Sequence, residues 1–127
     1  MRISRLDEVG FEDFVERGSR SASRKTLVME KFFRLRYYSL EPGGQTPFDI
    51  HDYEHVVVVV KGRGSIISRE DEAPRIYHVA EGDVIHIGPR DPHQFVNTGN
   101  TPFEFLCFST SSELYVGKVQ EALGGKT

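Results

Sequence analysis

Turn-forming residues interrupt this 127-residue chain at short intervals, and their spacing constrains the fold more than any other feature of the sequence. Between the turns lie short stretches rich in Val, Ile, Phe and Tyr, which favour strands. The pattern predicts an all-β domain of the sandwich or barrel type. The predicted strands are 32–40, 55–60, 65–68, 84–87 and 103–108, and the turns include Pro42-Gly43-Gly44, Gly62-Arg63-Gly64, Gly82-Asp83, Gly88-Pro89 and Asn97-Thr98-Gly99-Asn100.

The two ends of the chain differ from its middle. Residues 1–26 are polar, and we expect an N-terminal extension with a short helical turn around 11–15 and then a Ser/Arg loop. Residues 27–110 form the predicted barrel. For residues 111–127 we expect a segment that packs on the barrel. Ser111-Ser112-Glu113 could cap a short helix there, although Gly117 and the strand-forming pair Tyr115-Val116 argue against it.

Composition excludes several classes of protein. The net charge is −3, and the densest basic cluster is predicted to be a solvated loop, so nucleic-acid binding is not expected. The longest apolar run has five residues, far short of the roughly 20 that a membrane helix needs. Acidic residues near the N-terminus and a single cysteine favour a cytoplasmic protein without disulfides. The basic cluster is Arg17, Arg20, Arg24 and Lys25, and the cysteine is Cys107.

His51 and His55 have the outer spacing of a helical metalloprotease motif, but the sequence contradicts that interpretation. The motif requires Glu directly after the first His, where this chain has Asp52. Five valines then follow His55 and disfavour a helix. In a straight strand the two histidines would lie about 13 Å apart, too far to share an ion. If they do share one, the chain must turn between them, with Asp52 and Tyr53 as the predicted turn residues.

Two segments resemble the conserved motifs of cupins. The first is Glu41-Pro42-Gly43-Gly44, then His51-Asp52-Tyr53-Glu54-His55 and Lys61-Gly62-Arg63-Gly64; the second runs from Gly82-Asp83 through Pro89 and Pro92-His93 to Asn97. The resemblance implies a double-stranded β-helix, the jelly-roll barrel of cupins. It also implies one divalent metal ion inside the barrel, held by His51, His55 and His93. Iron, manganese, nickel, zinc and copper all remain open.

The chain departs from the cupin pattern in two places. Asp49 occupies the position of a further histidine, so it could be a fourth ligand or could turn aside and leave open metal positions for water and substrate. Gly88 and Arg90 stand where proline and glycine are usual, which affects a turn. Glu54 resembles the glutamate of the first motif, but next to His55 it should point to the opposite face. We interpret His78 and His86 as ordinary packed or surface residues.

Strand alternation predicts further cavity residues. Phe103, Phe105 and Cys107 share one face of their strand, and the charge of Glu104 on the other face indicates that the first points inward. In the strand 32–40, either face could point inward. If Arg36 and Tyr38 do, they could anchor an anionic or carbonyl substrate. The general base could be metal-bound hydroxide, Asp49 or Tyr38. Phe95 is expected to pack the barrel, Gln94 to reach the pocket rim, and Asn97 to fix a turn.

Three functions fit these residues. The first is a metal-dependent enzyme that acts on a small, polar substrate able to chelate the metal through oxygen. Such an enzyme could be a dioxygenase, which is an oxidoreductase, a decarboxylase, which is a lyase, or an isomerase. The second is a binding protein or sensor for a small metabolite, and the third is a storage protein, which the short single domain disfavours. A homodimer is expected because related single-domain cupins commonly pair. Phe11, Phe14 and Val15 would then gain burial against a neighbour.

Overall fold

The computed structural model describes residues 1–111, and these residues form nine β-strands with one 3-10 turn at Leu6–Glu8. The strands are β1 Glu12–Asp13, β2 Arg20–Met29, β3 Phe33–Gln45, β4 His55–Lys61, β5 Arg63–Glu70, β6 Ala73–Ala80, β7 Val84–Ile87, β8 Gln94–Val96 and β9 Phe103–Thr110. The predicted all-β class is therefore confirmed. C-terminal features expected beyond residue 111, including the short helix, lie outside the described residues.

All pairings between the strands are antiparallel, and they form one curled sheet. Seven strands follow the order β6-β5-β8-β3-β9-β4-β7, and β2 adds to β3 with β1 beside it. The 13-residue β3 makes the curl possible, because it pairs with β9 over its first part and with β8 at Gln45. This arrangement is the expected jelly-roll barrel.

The valine run shows why the barrel closes around an apolar interior. Along β4, Val57 and Val59 are fully buried, while Val56 and Val58, which alternate with them, face outward. They pack with Leu40, Phe103 and Phe105, also fully buried. Phe105 stacks on Phe95 with a ring separation of 4.5 Å. The predicted inward face of β9 and the packing role of Phe95 are thus confirmed.

The N-terminal region differs from the prediction. Residues 11–15 hold the short strand β1 instead of a helical turn, and most of the expected Ser/Arg loop is the ten-residue β2, paired with β3. Lys25, taken as solvated, is 8% exposed and donates a hydrogen bond to the Leu6 carbonyl. The Ser/Arg composition misled because long side chains can cover a sheet with their apolar stems. The division of the chain at residues 26 and 110 stays a prediction, although β2 spans the first of these boundaries.

Two tight turns belong to the second cupin-like motif, one at its end and one within it. The buried Asn97 amide donates hydrogen bonds of 2.8 Å to the carbonyls of Leu40 and Thr101, and its oxygen accepts one from the Gly99 amide. Its predicted role in fixing a turn is confirmed. Arg90, at the position where the cupin pattern has glycine, adopts a φ of 67°, in the left-handed region that favours glycine.

Over residues 1–111 there is no helix long and apolar enough to span a membrane.

Candidate metal centre

Three separate segments bring His51, His55 and His93 together. His55 is the first residue of β4, and His93 immediately precedes β8. His51 follows a single β-bridge between Asp49 and His93, and the chain bends at Asp52 and Tyr53 before β4 begins. The predicted turn between the two histidines is therefore confirmed. One ring nitrogen from each histidine lies within 4.8 Å of the others.

His55 is buried to the same extent as His93 and more than His51. Its Nε2 is the one buried side-chain nitrogen or oxygen within residues 1–111 that has no hydrogen-bond partner. Its Nδ1 lies 3.3 Å from the Cys107 sulfur. Burial, reinforced by the neighbouring His93 and His51, lowers the pKa of His55 to about 3, so its imidazole is neutral at physiological pH. A neutral ring with a buried, unpaired nitrogen is the donor that a metal ion requires.

Hydrogen bonds orient His93 as well. Its Nδ1 lies 2.8 Å from the Asp91 carbonyl, which can only accept, so Nδ1 carries the proton and Nε2 keeps a lone pair. The backbones of His93 and Asp49 exchange two hydrogen bonds, of 2.9 and 3.0 Å. Metal-binding histidines commonly donate their second N–H to a carbonyl in this way. His93 is thus preorganised as a ligand.

A tyrosine and an arginine brace His51. The Tyr53 ring stacks on His51 at 4.6 Å with an interplanar angle of 10°. Arg34 donates hydrogen bonds to the Tyr53 hydroxyl, at 2.9 Å, and to the Ser109 hydroxyl, at 3.0 Å. Burial is the main cause that lowers the pKa of His51. The sequence analysis did not predict this contact between Arg34 and Tyr53. Arg34 lies two residues from Arg36 on the same face of β3, and that shared face could have indicated that Arg34 also points into the barrel.

Asp49 lies at the edge of the histidine cluster. Its Oδ2 is 3.9 Å from His51 Nε2, and its side chain is 38% exposed. The cluster of converging ligand atoms comprises the three histidines without it. A ligand role for Asp49 therefore stays a prediction.

The other candidate residues lie away from the cluster. The Nε2–H of His86 donates to Glu54 Oε1 at 2.8 Å on the outside of the barrel. His78 contacts the Ser65 hydroxyl at 3.0 Å. These contacts agree with the ordinary roles expected for the two histidines, and with the expectation that Glu54 points away from His55.

A cavity of about 290 Å³ adjoins the three histidines. Arg36 and Tyr38 line it, which resolves the open question of which face of β3 points inward. Phe105 and Cys107 line it as predicted. Burial raises the pKa of the Cys107 thiol to about 11, so it is protonated at neutral pH. Gln94, expected at the rim, instead donates a hydrogen bond to the Thr46 carbonyl.

Several cavity residues come from the N-terminal region that sequence reasoning set aside. Phe14 is 9% exposed, and its ring packs against Tyr38 at 5.8 Å. Glu16 and the half-buried Arg24 also line the cavity. Phe14 is therefore already buried within its own chain and gives no argument for the expected homodimer, which stays a prediction. Phe11 also packs within the chain, on Tyr37, and Val15 stays exposed.

Comparison with known proteins agrees with this geometry. The sequence profile of the cupin domain family matches residues 36–109, more than half of the chain. The chain belongs to the cupin family. This cupin is 32% identical over 100 residues to the 1-methylthio-D-xylulose 5-phosphate methylsulfurylase of Rhodospirillum rubrum, covering 74% of this chain and 61% of the relative. It is 36% identical over 56 residues to a Methanocaldococcus jannaschii protein, covering 44% of this chain and 42% of that one.

Solved structures share the barrel. The polyketide cyclase RemF from Streptomyces resistomycificus aligns with a TM-score of 0.79 and 24% identity, over 87% of this chain and 79% of its own. A cupin-2 domain from Rhodospirillum rubrum aligns with a TM-score of 0.72 and 26% identity, over 87% of this chain and 75% of its own. The cupin therefore shares its barrel with proteins of differing function, so the fold alone does not assign an activity.

The ligand atoms of this cupin fit a divalent transition metal. Imidazole nitrogen suits zinc, copper, iron and nickel, whereas calcium and magnesium prefer oxygen. Three ring nitrogens within 4.8 Å of one another, one of them buried without a partner, match that preference. Three protein ligands also leave coordination positions for a substrate.

Proposed function

We propose that this cupin is a metal-dependent enzyme that acts on a small, polar substrate with two oxygen donors. The observation that carries the proposal is His55 Nε2, a buried nitrogen that nothing in the described chain satisfies. Leaving such an atom unpaired costs about 1–3 kcal/mol. A bound metal ion would remove that cost. His55 belongs to the cluster of three imidazoles and lines the cavity, so a substrate in the cavity could reach a metal ion held there.

The size and lining of the cavity limit the substrate. A volume of about 290 Å³ lies at the small end of the range for ligand pockets, so a metabolite of a few carbon atoms fits best. Arg36 and Tyr38 on β3 are proposed to bind the oxygen atoms of the substrate. Asp49, next to His51 at the cavity wall, is the proposed proton acceptor. Burial raises the pKa of Tyr38, so its phenol stays protonated at neutral pH and is proposed to donate a hydrogen bond to the substrate.

The metal would polarise a carbonyl, carboxylate or enediol oxygen of the substrate. Among the reaction classes that cupins support, oxygen-dependent oxidation, decarboxylation and isomerisation all remain compatible with the cavity. The relative from Rhodospirillum rubrum is named for a sugar phosphate, which places sugar phosphates among the first substrates to test.

Elemental analysis of protein purified without added metal tests the proposal. We expect about one divalent ion per chain, and loss of most of it in His51→Ala, His55→Ala and His93→Ala. His78→Ala and His86→Ala are the matched controls, because both residues lie outside the cluster. Equal metal content in all five variants would contradict the metal site.

A substrate screen tests catalysis. It would cover small keto acids, diketones, hydroxy acids, sugar acids and sugar phosphates with each reconstituted metal, following turnover and oxygen uptake. Turnover that persists undiminished in His93→Ala would exclude the proposed site. Binding without turnover in every metal form would instead support the alternative, a small-metabolite binding protein or sensor.

We also propose a homodimer formed through the outer face of the sheet. Val56, Val58, Val84 and Phe108 lie on neighbouring strands of that face, and each is more than a third exposed. Exposed apolar patches of this kind commonly mark an interface. Light scattering at micromolar concentration should give twice the chain mass, and a monomer would contradict the proposal.

A cytoplasmic location likewise stays a prediction, which fractionation of the source cells would test.

A further inference from the structure

Three arginines line the cavity, and none of them is paired with a carboxylate. They are Arg24 on β2 and Arg34 and Arg36 on β3. Throughout residues 1–111, every ion pair within 4 Å involves other cations. Arg34 is held by two hydroxyl groups in the brace of His51. Arg24 and Arg36 remain as half-buried cations with no carboxylate of residues 1–111 within 4 Å of them.

The sheet places these two arginines side by side. Arg24 lies opposite Tyr38 in the pairing of β2 with β3, and Arg36 is two residues from Tyr38 on the same face. Diagonal neighbours of this kind have Cα atoms about 7–8 Å apart. Both guanidinium charges act on Tyr38: burial raises the pKa of its phenol, and Arg36 and Arg24 oppose that rise. Arginine side chains are long enough that both guanidinium groups can therefore bind the same anion.

Both arginines are held in place. The Arg24 guanidinium lies 4.4 Å from the centre of the Phe14 ring, and that ring packs against Tyr38. Arg36 donates through Nε to the Thr26 hydroxyl at 3.4 Å. Arg24 also hydrogen-bonds to Tyr38, and a guanidinium has five N–H donors, so each arginine has further donors to offer a ligand. Holding like charges together without a counter-ion is unfavourable, which indicates that an anion completes the group.

The charge balance of the cavity favours an anion with two negative charges. Glu16 and Asp49 are the carboxylates among the lining residues, against three arginines. A divalent ion held by neutral imidazoles would add two more positive charges. A phosphate monoester, which carries a charge of about −1.5 to −2 at neutral pH, matches this balance better than a single carboxylate.

The distance to the histidines indicates how the substrate lies. Arg36 is opposite Cys107 in the pairing of β3 with β9, and the Cys107 sulfur contacts His55. Arg24 is one strand further away and two residues along, so its backbone lies about 12 Å from that of Cys107. A short molecule can therefore reach the histidines with one end and the arginines with the other.

We propose that Arg24 and Arg36, with Phe14 behind Arg24, form a subsite for the phosphate group of a small phosphorylated metabolite. The proposal rests on the proposed function, because the other end of the metabolite would contact the metal. It assigns to the N-terminal region a role in substrate selection. Arg34 positions His51 and is not part of this subsite.

Binding of three related compounds tests the subsite. Glycerol 3-phosphate, glycerate and glycerol share a three-carbon backbone and differ at the terminal group. Calorimetry on the full-length, metal-loaded protein should show glycerol 3-phosphate binding at least about tenfold more tightly than glycerol, as expected for charge-assisted arginine contacts. Glycerate can chelate the metal, so it is compared with glycerol 3-phosphate in the His93→Ala variant, where the same preference for phosphate is expected. Glycerol binding as tightly to the wild type, or glycerate binding as tightly to His93→Ala, would overturn the assignment to phosphate.

Variants then locate the binding site. Arg24→Gln and Arg36→Gln should each weaken glycerol 3-phosphate binding about tenfold. Arg20→Gln is the matched control on β2, because Arg20 is exposed and bonds to the Gly43 carbonyl and Gln45 outside the cavity. Equal affinities in Arg24→Gln, Arg36→Gln and Arg20→Gln would overturn the subsite. Metal content, measured in parallel, should match the wild type in all three variants.

One further variant separates this proposal from the metal site. In His93→Ala, phosphate held by the arginines should still bind, and Arg24→Gln should still weaken it in the double variant. Binding that disappears in His93→Ala but is unchanged in Arg24→Gln would show that the metal alone holds the phosphate, and would overturn the subsite. If the wild type binds no metal, the proposed function fails while the comparison of arginine variants remains decisive.

Discussion

Replacement of His55 by leucine should stabilise the metal-free protein, although the residue is almost completely buried. The buried Nε2 has no partner, and removing an unsatisfied polar atom of this kind recovers about 1–3 kcal/mol. The variant loses the 3.3 Å contact between Nδ1 and the Cys107 sulfur, a weak hydrogen bond worth about 0.5–1 kcal/mol. Leucine fills a similar volume beside Val57. The net gain in unfolding free energy should be about 1 kcal/mol.

Metal binding should make the wild-type protein more stable than His55→Leu, the reverse of the order expected without metal. At a free metal concentration 100 times the dissociation constant, a site present in the folded state alone adds about 2.7 kcal/mol. For a domain of this size, 1 kcal/mol shifts Tm by about 4 °C, so wild-type protein should gain about 10 °C on loading. His55→Leu should gain little, because it retains two of the three ligands.

Thermal and urea unfolding of both proteins, with chelator and with metal, would measure this reversal. His86→Leu is the control, because His86 lies outside the barrel and should leave the metal-dependent gain intact. A metal-free His55→Leu protein that is less stable than wild type by more than about 2 kcal/mol would refute the reasoning, since His55 would then contribute to the apo fold. A His55→Leu protein with the full metal-dependent gain would refute the ligand assignment.

Three further predictions follow from single residues. If Asp49 ligates the metal, Asp49→Ala should weaken metal binding about tenfold in a competition titration, whereas unchanged affinity would make it a cavity residue only. Gly64→Ala should lower the unfolding free energy measured in urea by about 1–3 kcal/mol, because the new methyl group would clash with the Phe103 ring and lie 2.6 Å from the Val96 carbonyl. Gly10→Ala is the control and should be nearly neutral, because Gly10 has open space around it. Metal-free protein should lose stability as the pH falls from about 6.5 towards 3. Over this interval the histidine at position 55 is protonated in the unfolded chain, whereas in the folded protein it stays neutral until about pH 3. A difference in stability between wild type and His55→Leu that does not change with pH in this interval would contradict the prediction.

The parts of the structure that sequence reasoning predicted depend on local pattern. Alternation placed Val57 and Phe105 inside, and the reach of a strand required the bend between His51 and His55. The convergence of His93 with these residues came from the resemblance to cupins. Arg24 and Phe14 could not be predicted, because their positions depend on how β2 pairs with β3. That pairing joins residues distant in sequence, and the Ser/Arg composition of β2 gave no signal for it.

The family match does not include the N-terminal residues of the proposed phosphate subsite. The match covers residues 36–109, which include all three histidines, whereas Phe14 and Arg24 precede it. The Phe14 ring packs against Arg24 and Tyr38. We therefore expect Phe14→Leu to retain wild-type metal content while it weakens glycerol 3-phosphate binding severalfold, because the guanidinium loses the aromatic face that holds it. Val15→Leu, at an exposed neighbouring position, is the control. Loss of metal together with phosphate binding in Phe14→Leu would show that the N-terminal region supports the whole site and does not act on the substrate alone.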